Sequence, residues 1–120
     1  MSRYVDGFVI PVKKKNLAAY KKMARVGYKV WMEHGALDYY ECVGADLKNG
    51  WGTSFPQLCK LKSDETLVFA FVVYKSKSHR SAVVKKVHAD PRMAADKFPE
   101  MPFDMKRLST GIFKTLIHSK

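Results

Sequence analysis

Cysteine is nearly missing from this sequence. Its two copies, Cys42 and Cys59, are too far apart for a Cys-x-x-Cys pair and too few for a disulfide framework, so they read as semi-buried thiols of a reducing cytoplasm. The four histidines, His34, His79, His88 and His118, show no ligand spacing beside them, and no metal site is expected. Glycine is thin at seven residues and forms no phosphate-cradling loop, so no nucleotide or other cofactor is expected. Long apolar runs are missing too. The longest, Leu67 to Tyr74, falls far short of the roughly 20 residues of a membrane helix. The start, Met1-Ser-Arg-Tyr-Val-Asp-Gly-Phe8, is broken by Asp6 and Gly7 and does not read as a signal peptide.

Acidic residues are the last shortage. Eleven Asp and Glu face 22 Lys and Arg, a net charge of +11. Such an imbalance can serve nucleic acid, because neutralising phosphates releases counterions. Here the lysines come in short scattered groups, Lys13 to Lys15, Lys21-Lys22, Lys60 and Lys62, Lys75 and Lys77, Lys85-Lys86, and form no single stripe. What remains is ordinary. With 120 residues, 47% hydrophobic and 28% charged, the chain reads as one domain, 1–120, with a true core.

Tyr4 to Val12 reads as a strand. Asn16 suits a helix N-cap and Gly35 the position past a helix end, with Leu17, Tyr20, Ala24, Tyr28 and Trp31 as the apolar stripe between them. Ala36 to Ala45 is a second strand, broken at Asn49-Gly50 and Gly52. Thr53 to Lys62 looks extended, with Pro56 placing it at an edge or bulge. Thr66 to Tyr74 is the clearest strand, Ser78 caps a second helix with the face Val83, Val84 and Val87 that ends near Pro91, and Gly111 to His118 closes the chain as a strand.

The order βαββαβ is that of a ferredoxin-like α+β domain, an antiparallel sheet with two helices on one face. The other face is too apolar to leave bare. Leu67, Phe69, Phe71 and Val73 oppose Val68, Ala70, Val72 and Tyr74, and both sets need burial. A second copy of the chain is the simplest cover, giving a homodimer with sheets face to face.

Tyr4-Val-Asp-Gly-Phe8, Trp31, Glu33-His-Gly-Ala-Leu37, Glu41-Cys42, Ser54-Phe55-Pro56, Val68-Phe69, Tyr74-Lys-Ser76, Asp90-Pro-Arg92, Met101-Pro-Phe-Asp104 and Lys106-Arg107 together resemble the bacterial YbaA-like family of unknown function. The resemblance covers nearly the whole chain. It implies a dimeric alpha-beta barrel, in which ferredoxin-like subunits pair sheet to sheet, and a superfamily whose cofactor-independent monooxygenases, isomerases and haem enzymes use cavities between sheet and helices or at the dimer interface. Met105 stands where the resemblance implies glycine, and this chain is markedly more basic.

Two catalytic candidates stand out. Asp6 lies mid-strand, where burial disfavours a carboxylate unless it is paired and can make it a general acid or base. The alternative is an ion pair across the dimer interface. His34 closes the first helix, where the dipole favours its cation, and with Asp6 or Glu41 it can shuttle a proton at neutral pH. Tyr39, Glu41 and Tyr74 are candidates for a ligand pocket, with Tyr40 beside them and Trp51 as a loop lid or a dimer contact. Pro99 and Pro102 stiffen the return to the last strand. There Asp104 either bonds local backbone N–H groups or pairs with Lys106 or Arg107, and Arg107 can grip an anionic group at a pocket rim. Three classes of function follow: a small-molecule-binding module or cofactor-independent enzyme in a homodimer, a nucleic-acid-binding module stacking bases on the aromatic sheet, and a structural or regulatory partner without a ligand.

Overall fold

The computed structural model describes residues 2–48 and 50–120; the turn expected at Asn49 falls partly outside them. Strand β1 (Tyr4–Lys13) runs into a 3-10 turn and then helix α1 (Leu17–Glu33). Strand β2 (Asp38–Val43), the short helix α2 (Phe55–Leu58), strand β3 (Glu65–Tyr74), helix α3 (Lys77–Ala89) and strand β4 (Ser109–Lys114) follow. Neighbouring strands are antiparallel in the order β2-β3-β1-β4, so the ferredoxin-like expectation holds.

Register decides which side chains meet the helices. Asp6 pairs with Val72, Phe8 with Ala70 and Ile10 with Val68, while Tyr39 and Glu41 lie opposite Val72 and Ala70. These residues face the helices. Val72 and Tyr74 pack with Val30 of α1 and with Val83 and Val87 of α3; Ile10, Val12, Val68 and Ala70 pack with Tyr20. The opposite face carries no helix. There Tyr40 and Phe71 stack at 4.8 Å, Phe69 lies 5.8 Å from Phe71, and Phe113 covers the paired Gly7 and Gly111. Tyr40, Phe69 and Phe113 are 49%, 47% and 60% exposed, whereas Leu67 at one end of this face is buried.

Several local expectations shift, each for a physical reason. Asn16 occupies the N-cap position, but its side chain makes no cap bond and reaches the Pro102 carbonyl at 3.5 Å. The buried stripe of α1 runs through Tyr20, Gly27 and Val30, and Tyr28 is half exposed. Gly27 carries no apolar signal, which hides the true centre of the face. Residues 53–62 are not extended: Ser54 accepts from the Gln57 N–H and Pro56 sits in the first turn of α2, where a missing N–H costs nothing. Lys60 then takes the left-handed backbone, φ 51°, that usually goes to glycine after a helix. The cap of α3 is Ser76, which accepts from the His79 N–H, and Ser78 only touches the Ser76 hydroxyl. Strand β4 stops at Lys114 because its partner β1 begins at Tyr4. Thr115 makes the last bonds, to the Arg3 carbonyl, and Leu116 and Ile117 lie exposed beyond it.

Between α3 and β4 the chain forms a strap, residues 91–108, with 3-10 turns at Pro91–Met93, Ala95–Lys97 and Met105–Arg107. Both ends are pinned. At the first, Arg92 grips the Asp90 carboxylate with two donors and reaches Glu33 at 2.7 Å. At the second, Arg107 pairs with Glu65 and donates to the carbonyls of Cys59 and Lys60. Met105 needs no glycine geometry: among the described residues Lys60 is the one non-glycine with positive φ.

Burial alone would raise the Glu65 carboxyl, but the Arg107 hydrogen bond, the Lys62 N–H and the charge of both residues outweigh it and hold Glu65 below 4.5, the ordinary glutamate value. A depressed carboxyl contributes stability that is complete above the unfolded value and is lost as pH falls through the folded one. Thermal melts across an acid series are therefore expected to lose stability below about pH 4.5, and Glu65→Gln to flatten that part of the profile. Arg107→Ala strands the carboxylate and is expected to cost about 3 kcal/mol at neutral pH, the low end for a buried pair, because the arginine side chain is 23% exposed.

Candidate functional site

Between α1, the sheet and the strap the core is incompletely filled. A cavity of about 540 Å³ lies there, within the range of small-molecule sites. The sheet contributes Phe8, Ala70 and Val72, α1 contributes Met23 and Trp31, and the strap closes over it with Met93, Phe98, Met101, Phe103 and Met105. An adjoining cavity of about 520 Å³ runs along α1 past Lys21, Arg25 and Tyr28 to Cys42 and Val43. The two share Tyr20, Ala24, Tyr39 and Glu41.

Glu41 is the polar centre of that shared wall. The Tyr20 hydroxyl donates to one carboxylate oxygen and the Tyr39 hydroxyl to the other, each at 2.7 Å. Strand geometry puts Tyr39 and Glu41 on one face, two residues apart, and the helical stripe brings Tyr20 down from above. Gly27 makes the arrangement fit: a Cβ there would lie 3.0 Å from the Tyr39 hydroxyl. Glycine mid-helix costs roughly 0.5–1 kcal/mol against alanine, and here it opens the space the phenol fills. Burial first, then the Glu41 hydrogen bond and charge, push the Tyr20 phenol far above its usual value. Burial and the Glu41 charge do the same to Tyr39. Both remain proton donors throughout the physiological range. Glu41 is exposed while lining both cavities, which sets the carboxylate at an opening, not on the floor.

The other sequence candidates do not converge on this cavity. Asp6 is 5% exposed and faces the helices. Its carboxylate takes the Arg80 Nε–H at 2.6 Å and the Tyr74 hydroxyl at 2.9 Å. The ion pair is thus within one chain, to α3, and not across an interface. Trp31 Nε1 donates to the same Tyr74 hydroxyl at 3.0 Å, and burial followed by the Asp6 charge raises the Tyr74 phenol. Among the described bonds His34 meets neither Asp6 nor Glu41. Its Nε2 lies 2.9 Å from Asp90, whose carboxyl is held well below the usual range by the Arg92 side chain, the Arg92 N–H and His34. Asp104 caps the last 3-10 turn by accepting from the Lys106 N–H, the local role its turn position implies, and Arg107 is engaged with Glu65 and two carbonyls.

Of the predicted ligand residues, then, Tyr39 and Glu41 are brought together, and Tyr74, Asp104 and Arg107 stand elsewhere. Sequence reasoning missed Tyr20 as a site residue. Its place on the buried stripe was visible, but nothing in the chain signals that its hydroxyl meets a glutamate 21 positions on. The strap's alternation of methionine and phenylalanine, Met101, Phe103 and Met105, was the overlooked sign of an apolar lid. Cys59 is not an activated thiol: burial raises it and Arg107 only partly offsets that.

Similarity to known proteins agrees with the fold. The sequence profile of "Protein of unknown function (DUF1428)" matches residues 3–105. Uncharacterized protein YbaA of Escherichia coli (strain K12) is 40% identical over 116 residues, 96% of this chain and 97% of the relative, and the YbaA of Shigella flexneri matches equally. The crystal structure of a dimeric ferredoxin-like protein from an uncultured marine organism superposes with a TM-score of 0.58, covering 99% of this chain and 100% of that one at 12% identity, a likeness of fold alone. With its own fold ferredoxin-like, the chain belongs to the DUF1428 family of proteins of unknown function.

Proposed function

We propose that this protein is a small-molecule-binding module that works as a homodimer, with the cavity between α1, sheet and strap as its site. The observation that carries the reading is Glu41 held by two phenols on the wall of an otherwise apolar chamber of about 540 Å³. Few convergent polar groups in a mostly apolar cleft are the usual make-up of a ligand site. In this reading Tyr20, Tyr39 and Glu41 touch the ligand. Asp6 and Tyr74 fix the helix layer, while His34, Asp104 and Arg107 hold the strap. Cofactor-independent catalysis would use the Glu41 carboxylate as base.

Dimerisation is supported by the aromatic cluster of Tyr40, Phe69, Phe71 and Phe113 on the helix-free face and by the fold neighbour described as dimeric. The same cluster on a protein of charge +11 favours a second reading, in which the sheet stacks bases of a single-stranded nucleic acid.

Sedimentation decides between them. The chain is expected to run at twice 13.7 kDa at micromolar concentration, and Phe69→Glu with Phe113→Glu to run as a folded monomer. A wild-type monomer that binds a generic oligonucleotide with a steep salt slope would instead support the nucleic-acid reading. For the cavity, a neutral solvatochromic dye such as Nile red is expected to bind with a blue shift that Ala24→Phe abolishes, since that ring fills space shared by both chambers. Undiminished dye binding by Ala24→Phe would place the dye elsewhere. Gly27→Ala is expected to keep the fold, gaining roughly 0.5–1 kcal/mol of helix propensity offset by displacement of Tyr39, and to weaken dye binding severalfold.

A further inference from the structure

The molecule carries 22 basic residues, yet none of them lines the chamber between α1, sheet and strap. Glu41 is the one charged side chain among its described lining residues. Lys21 and Arg25 line only the adjoining cavity, so the charge of the walls changes from mixed to purely negative on passing from one to the other.

The rest of the lining suits a cation as well. Tyr20 meets Phe103 edge-on at 5.9 Å and Trp31 meets Tyr39 at 6.2 Å, and these four aromatic side chains line the same chamber as Glu41, where ring faces attract organic ammonium groups. Each Glu41 oxygen accepts a single phenol, and a carboxylate has about four acceptor positions in all. Acceptor capacity is thus left on both oxygens. The two phenols also fix the carboxylate in place, so a ligand that pairs with it does not have to order it. An incoming carboxylate or phosphate finds no side-chain donor on the described lining except the Trp31 indole, already given to Tyr74, and the phenols, already given to Glu41.

We propose that the ligand is a lipophilic organic cation, an aryl or alkyl amine whose apolar body lies among the strap's methionine and phenylalanine side chains and whose ammonium pairs with Glu41. Methionine-rich walls adapt to bodies of differing shape, so the head group and not the tail is the selected feature. The inference rests on the cavity reading above and narrows it.

The test is a matched series, 4-phenylbutylamine, 4-phenylbutan-1-ol and 4-phenylbutanoate, titrated calorimetrically into the full-length protein at pH 7.5 and in 0.15 M salt, which screens the general surface charge. The amine is expected to bind about 10-fold or more tighter than the carboxylate, with the alcohol between, as a charge-assisted hydrogen bond implies. Glu41→Gln is expected to erase the difference between the amine and the alcohol. Equal affinities, or a carboxylate that binds as well as the amine, overturn the cation preference while leaving the cavity standing if Ala24→Phe abolishes them. Silence from all three probes overturns the cavity as well. Because the ranking is read first in the unmodified protein, the outcome does not depend on whether Glu41→Gln folds.

Discussion

A carboxylate in the middle of a sheet has to be answered, and the way Asp6 is answered organises the molecule. Its two oxygens take an arginine from α3 and a tyrosine from β3, and that tyrosine takes the indole of Trp31 from α1. Every member of the chain is bonded, so the buried polar cluster ties sheet and both long helices together where a half-satisfied one would loosen them. Hydrophobic burial of Val30, Val83 and Val87 supplies much of the drive, but it is not directional. The hydrogen-bonded chain fixes where α1 sits above the sheet, and with that the width of the space beyond Trp31.

That space persists because two kinds of residue decline to fill it. Ala24 and Gly27 present almost no side chain on the inward stripe of α1, and Ala70 does the same on β3. A compact domain normally packs such a gap to crystal-like density. Here the strap bridges it, with ion pairs at its two ends and an Asn16 contact near Pro102 between them. The polar residues that look most like catalysts in the sequence serve that construction, and a less conspicuous glutamate with its two phenols is left facing the void.

Much of the fold was legible. Strand β3 is apolar on both faces and was found within one residue; Gly35 marks the end of α1 with φ 109°; and Pro91 leaves Asp90 extended. The errors have a common origin in residues whose sequence signal is ambiguous. Pro56 disfavours a central strand but equally starts a helix, and Ser76 and Ser78 are equally good caps until the His79 N–H chooses one. The site was less legible for a different reason. A carboxylate's value depends on which face of its strand meets which turn of a helix, and that relation between Tyr20 and Glu41 is set by register and crossing geometry, which no local pattern encodes. Tyr39 and Glu41, sharing a strand face, were the part that alternation alone reveals.

The strap lies outside the sheet ladder but packs on the helix layer through Met93 and Phe103, and ion pairs of Arg92 and Arg107 secure its two ends. Phe98 and Met101 line the chamber without being among the residues packed on the buried clusters, so substitutions there recontour one side of it with less disturbance of the core than at Met93 or Phe103. The arginines that secure the strap and the apolar side chains that face the chamber are thus different residues of one short stretch, interleaved along it.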